Sequence, residues 1–351
     1  MNEFGVLEKP THQFLPSTIK YWRIAQWAVW FIGAAILSCL LFLPPVGTIV
    51  FWNILIPIAP ALLVVAAGVW RNVCPLATTN LLPRHLGLSK QKKLSTLQLG
   101  KLNFVSIVAL FLIVPLRHPF FNNNGIATAF LLIAMVVIGT VLGFFFEWKS
   151  AWCSGLCPIH PVEKLYGSNA FIKVPNAHCA SCKNCVVPCP DSTPNVHPNI
   201  APTNFYHRIN GWLITGALPG FIWGWFHVAD DINNAASHDL LTAYGLPFGG
   251  GLITLLIYIV AKQFFSNSKK DLLTPLFAAA SVSCYYWFRI PSLFGFGNIG
   301  KDGLLIDLSK TIPSVIIEII PYITTAFFFY WLVVKERNRQ SWLIRPSKQV
   351  E

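Results

Sequence analysis

Eight stretches with few or no charged side chains recur along the chain, at approximately 22–43, 48–69, 102–117, 124–146, 210–228, 246–265, 272–289 and 311–334. Each is close to the roughly 20 apolar residues that carry a helix across a hydrocarbon core. A helix is also the form in which a lipid-exposed backbone satisfies its own polar groups. The run from Gly125 to Phe146 is the clearest, with no charge before Glu147, whereas the third is interrupted by Pro115. The pattern predicts an all-α integral membrane protein of about eight transmembrane helices. The first run begins near Trp22 and is too long for the apolar core of a signal peptide, so it is expected to remain as an anchor. Gly249, Gly250 and Gly251 in the sixth run suit close helix packing better than ligand binding.

Charge patterning gives an orientation. Charged residues make up 11% of the 351, against about 25% in soluble chains. The net charge of +12 does not point to nucleic acid, because the cations fall between apolar runs, where they act as insertion signals. With the N-terminus inside, 22 of the 26 Lys and Arg lie in inner segments. This predicts a multi-pass protein of the bacterial inner membrane with both termini cytoplasmic. The connection after the fifth run holds Asp230, Asp231 and Asp239 without Lys or Arg, in keeping with an outer loop. Three regions follow: a four-helix membrane region over 1–146, a cytoplasmic segment over 147–209, and a second four-helix region with a basic tail over 210–351.

The segment 147–209 carries the chemistry. Six of nine cysteines lie between Cys153 and Cys189. Cys179, Cys182, Cys185 and Cys189-Pro190 form C-x2-C-x2-C-x3-C-P, the bacterial ferredoxin run for a [4Fe–4S] cluster. Three thiolates two residues apart wrap three corners of one cubane, and the proline-linked fourth reaches another cluster or closes the same one. Structural zinc more commonly takes pairs of ligands on separate knuckles. Upstream lies Cys153-x3-Cys157-Pro158, a candidate ligand pair that in isolation would read as two buried thiols. Trp70-Arg-Asn-Val-Cys74-Pro75 is a faint copy of it, with Trp70 in place of the first cysteine, and makes Cys74 a further candidate ligand. By the sharing seen in two-cluster ferredoxins, Cys157 completes the set Cys179, Cys182 and Cys185. Cys189 then joins Cys153 and Cys74 at a second cluster, whose fourth ligand is His160, solvent or a partner residue.

A hydrophobic hairpin, then C-x3-C-P, then a ferredoxin run resembles the membrane iron–sulfur electron-transfer proteins of the NapH, NosR and CcoG types. The resemblance covers mainly 48–190 and implies a small ferredoxin-like loop domain and electron transfer between redox partners. Many members carry C-x3-C-P twice and paired ferredoxin runs. Here one run is present, and Trp70 replaces a cysteine.

Other residues bear less directly on chemistry. There is no C-x2-C-H for covalent haem, and His118 and His227 at outer helix ends are more ordinary as interfacial histidines, so haem is not expected. Cys39 and Cys284 fall inside apolar runs and read as small packing residues. Glu318 is an acid inside a predicted span and so a proton-transfer or quinone-site candidate, with an ion pair to Arg289 as the alternative. The whole reads as an electron-transfer protein. An acidic soluble donor or reductase would reduce the clusters, and quinone or a membrane redox partner would accept; Lys149, Lys164, Lys173 and Lys183 are candidates to steer the donor, their default reading being insertion signals. A metal-reducing maturation factor is the alternative, although two Met and no His-rich tract argue against copper handling. A transporter would leave the cysteines unexplained.

Overall fold

The computed structural model describes residues 16–147, 151–167, 171–172, 174–175, 177, 204–228, 240–265, 267–296, 303–335 and 343–344. It is helical, apart from a two-residue parallel pairing of β1 (Val174–Pro175) with β2 (Leu343–Ile344). Helix α1 spans Pro16–Phe42. A short α2 (Pro44–Thr48) and a π-helical stretch (Ile49–Leu55) lead into α3 (Ile56–Val73), followed by α4 (Pro75–His85). Then come α5 (Thr96–Ile113), α6 (Gly125–Phe145), α7 (Ile159–Tyr166) and α8 (Phe205–Trp212). The π-helical Leu213–Ala217 carries α8 into α9 (Leu218–Phe226), and α10 (Leu240–Phe264), α11 (Asn267–Leu293) and α12 (Ser314–Phe329) complete the chain. Helix starts follow local chemistry. Ser95 and Gln98 form a reciprocal capping box on α5, and Asn124 and Asn204 accept N–H groups at the heads of α6 and α8.

Among the described residues, six helical stretches are long and apolar enough to cross a membrane: Ile19–Phe42, Pro44–His85, Thr96–Arg117, Gly125–Phe145, Leu240–Phe264 and Ser314–Val334. Their outward faces, such as Trp27, Phe31 and Ile32 on α1 and Leu252, Ile253, Leu256 and Ile257 on α10, are exposed, as suits a multi-pass protein solvated by lipid. Six of the eight expected runs overlap these stretches. The stretches 210–228 and 272–289 are helical, but they are not among the six. They supply α9 and α11, which form the centre of the bundle: Leu218, Phe221, Trp225 and Phe226 pack with Ala278, Ala279, Val282, Tyr285 and Tyr286. A helix surrounded by protein can carry Ser281, Ser283 and Arg289 buried, so its sequence need not be lipid-like throughout.

Two local features shape the bundle. α9 and α10 touch backbone to backbone at Gly220 and Gly250, where a Cβ on either would overlap the other's carbonyl. α3 is broken twice. Near Pro57 and Pro60 the Tyr286 hydroxyl donates to the Pro57 carbonyl (2.7 Å) and accepts the Ala61 N–H (2.8 Å). At Ala66 the backbone leaves the helical region (φ −147°, ψ 55°).

Candidate metal centre at two Cys–Pro turns

The first turn ends α3. The residue before a proline is pushed out of the α region, so at Cys74 the chain turns extended (φ −56°, ψ 120°), and Pro75 opens α4, where its fixed φ suits a first helical position. The Cys74 carbonyl accepts the Thr78 N–H (3.0 Å) and hydroxyl (3.2 Å). α4 is then pinned to α6, because the Asn80 amide donates to the Gly139 carbonyl and the Asn80 backbone crosses Gly143 where no Cβ would fit. On the other side, Trp30 of α1 donates to Thr79 (3.2 Å).

The second turn has the same local geometry. The π-helical Trp152–Leu156 ends at Cys157 (φ −64°, ψ 118°), whose N–H donates to the Trp152 carbonyl (2.8 Å). Its carbonyl accepts the His160 N–H (3.1 Å) and the Ser106 hydroxyl (2.8 Å). Ser106 lies ten residues along α5 from Thr96, about 15 Å at 1.5 Å per residue. Likewise the Trp152 ring packs on Gly139, about 9 Å back from the end of α6 at Phe145. Residues 151–166 are therefore folded back among the helices, at the depth of the middle of α5. No ferredoxin-like domain is seen among the described residues.

The two turns meet. Cys153, with Trp152 and Ala77, forms a buried cluster against which Cys74, Cys157, Leu76, Met135, Leu142 and Leu156 pack. The helix after each Cys–Pro packs on the helix preceding the other cysteine, α4 on α6 and α7 on α3. Cys157 accepts backbone hydrogen bonds from Ile159 and His160 at the head of α7, the donors that favour a thiolate ligand. Burial, with Cys74 nearby, nevertheless pushes its thiol up to about 12, so a bound cation is what would make it a thiolate near neutral pH. Donor type and amide hydrogen bonding thus fit a thiolate-held iron–sulfur group. The described residues supply part of such a shell: among them, no group of three or more His, Cys, Asp or Glu is arranged to hold a metal ion by itself.

Beside the thiols lies a buried charge network. The Arg71 guanidinium donates to Glu163 (2.6 Å) and contacts His160 Nδ1 (3.2 Å), which lies 3.4 Å from the same carboxylate oxygen. Burial alone would raise the Glu163 carboxyl, but Arg71 and His160 outweigh it and hold it below the usual range. Burial lowers His160 to about 4, so its ring is neutral.

The chain then runs along the lower half of α3. The Ile172 N–H donates to the Val65 carbonyl (2.8 Å) beside the break at Ala66. The Ala177 N–H donates to Asn72 Oδ1 (3.1 Å), and Gln26 of α1 donates to the Asn72 carbonyl (2.9 Å). Ala177 is two residues before Cys179, and Asn72 two residues before Cys74. Cys179, Cys182, Cys185 and Cys189 lie outside the described residues.

The remaining candidates are separate. Arg289 donates to the Trp52 carbonyl (2.9 Å) and Asn53 (2.8 Å), and Arg117 also reaches Asn53 (3.5 Å). Glu318 is exposed on α12, and among the described residues it forms no ion pair with Arg289. His118 and His227 each contact a carbonyl, of Trp225 (3.0 Å) and Trp223 (2.7 Å). Cys39 and Cys284 form no disulfide. Sequence reasoning missed Arg71, Asn72, Ser106 and Glu163. The available signal was Arg71, a charge one turn before a cysteine at the end of an apolar run. No family model matches the chain, and no curated protein or solved structure is significantly similar to it.

Proposed function

We propose that the chain is a membrane-embedded iron–sulfur protein that passes electrons from a soluble donor to a membrane acceptor, either quinone or a partner's redox centre. The observation that carries the reading is the hydrogen bond from Ala177 to Asn72. It holds Ala177, two residues before Cys179 in sequence, beside the turn at which Cys74 packs with Cys153 and Cys157. On this reading Cys179, Cys182, Cys185 and Cys189, with Cys153, Cys157 and Cys74, are the thiolate ligands of two [4Fe–4S] clusters. A cubane supplies one-electron chemistry with little rearrangement, at a potential tuned by burial and by hydrogen bonds to sulfur. The protein's part is to exclude water with Trp152, Met135 and Leu142, to direct the Ile159 and His160 amides at Cys157, and to hold both turns rigid.

The charge distribution supports an inner-membrane orientation with both termini and the cysteine-bearing side cytoplasmic. The depth of residues 151–166 supports delivery of electrons within the bilayer rather than at its surface. The test is anaerobic iron and sulfide analysis with low-temperature EPR of the reduced protein. Close to eight irons per chain, or seven with a three-iron centre, is expected, with most of the signal lost in Cys182→Ser. An unchanged signal in that variant sinks the assignment. Four irons unaffected by Cys153→Ser would leave a single cluster. Alkaline phosphatase fused after Glu351 should be inactive and near Asn233 active, and the reverse would overturn the orientation.

A further inference from the structure

Arg71 and Glu163 are 92 positions apart in sequence, yet their side chains are only 5% and 3% exposed and meet at 2.6 Å. Each belongs to a different Cys–Pro turn. Arg71 sits three residues before Cys74 on α3, and Glu163 six residues after Cys157 on α7. A buried ion pair is a weak source of stability, because well-packed apolar side chains of the same volume often do as well or better. Breaking one by removing a single partner is strongly destabilising, since it strands the other charge. Such a pair therefore fixes how two elements sit together, and here the elements are the two that carry Cys74 and Cys157. Glu163 also lies within electrostatic reach of Cys157, as does Cys74.

We propose that Arg71 is a positioning residue. Through Glu163, with His160 packed against both, it holds the two Cys–Pro turns in the register at which Cys74 and Cys157 serve one cluster. It also neutralises the carboxylate that would otherwise oppose charge on that cluster. This rests on the iron–sulfur reading above. It adds that Cys74 and Cys157 are co-ligands, whereas the ferredoxin analogy assigns them to different clusters.

The charges give the role a sign. Adding an electron to a cluster is easier beside an uncompensated cation and harder beside an uncompensated anion. Glu163→Gln leaves the guanidinium, which stays charged at any accessible pH, without its carboxylate. Arg71→Gln leaves the carboxylate without its guanidinium.

The experiment is redox titration followed by EPR, with iron counted per chain, on full-length protein prepared anaerobically. Glu163→Gln is expected to raise the midpoint potential of one centre. Arg71→Gln is expected not to raise it and to lose iron from that centre. Arg71→Lys keeps the charge and should retain more iron than Arg71→Gln. The double variant Arg71→Gln/Glu163→Gln should return the potential toward wild type and hold more iron than Arg71→Gln alone, which also decides the matter if a single variant is too damaged to titrate. Equal shifts in one direction, no shift in Glu163→Gln, or a double variant no better than Arg71→Gln would overturn the proposal. Wild-type protein lacking iron would instead overturn the iron–sulfur reading, before any variant is compared.

Discussion

Replacing Asn72 with Leu tests whether the segment leading to the ferredoxin run is held where the structure places it. Asn72 is fully buried, and its Oδ1 is the acceptor for the Ala177 N–H at 3.1 Å. Leu nearly matches the volume but supplies no acceptor, and Ala177 is itself only 9% exposed, so its N–H would be left without that partner in a buried place. The penalty for stranding a buried donor is about 1–3 kcal/mol. Converted at about 1.4 kcal/mol per tenfold, that makes opening of the segment roughly 5- to 150-fold more frequent. The other ties, Ile172 to Val65 and the β1–β2 pairing, are untouched and should keep the fold intact. Hydrogen exchange followed by mass spectrometry on a peptide covering 171–177 reads this directly, because exchange of a buried amide follows its opening equilibrium. Gln26→Met is the control: it removes a bond to the Asn72 carbonyl but not the acceptor of Ala177. Exchange of Asn72→Leu within twofold of wild type would refute the reasoning.

Two further outcomes test the bundle. Gly220→Ala places a methyl against the Gly250 carbonyl, which belongs to backbone and cannot step aside, and should destabilise by about 1–3 kcal/mol as a lower melting temperature in detergent. Gly245→Ala, where nothing lies within 4 Å, should not, and equal effects of the two would contradict the α9–α10 packing. Tyr286→Phe removes the hydroxyl that bridges Pro57 and Ala61, and should cost about 1–3 kcal/mol by stranding the Ala61 amide, with no change if α3 is satisfied in another way there.

What could be read in advance was what depends on neighbours in sequence. Apolar length marks a spanning helix wherever the helix faces lipid, and Ile19–Phe42, Thr96–Arg117, Gly125–Phe145, Leu240–Phe264 and Ser314–Val334 overlap expected runs. Proline restricts the residue before it, so Cys74 and Cys157 leave their helices as their Cys–Pro sequences require. The spacing of Cys179, Cys182, Cys185 and Cys189 is local too, and it is the ground on which the cluster is proposed.

Tertiary structure decided what those pieces are near. Whether 210–228 and 272–289 face lipid or protein depends on the helices around them, and packing makes them the core. Nothing in Cys153-x3-Cys157 says how deep the turn sits; the hydroxyl of Ser106 and the gap at Gly139 set that. Arg289 could be matched with Glu318 on depth alone, yet helix rotation turns Glu318 outward and Arg289 toward Trp52 and Asn53. Arg71 with Glu163, and Asn72 with Ala177, join positions 92 and 105 apart. Periodicity and spacing describe one helix or one loop at a time. Which buried charge meets which, and which thiols share a pocket, follows only from how the helices close around one another.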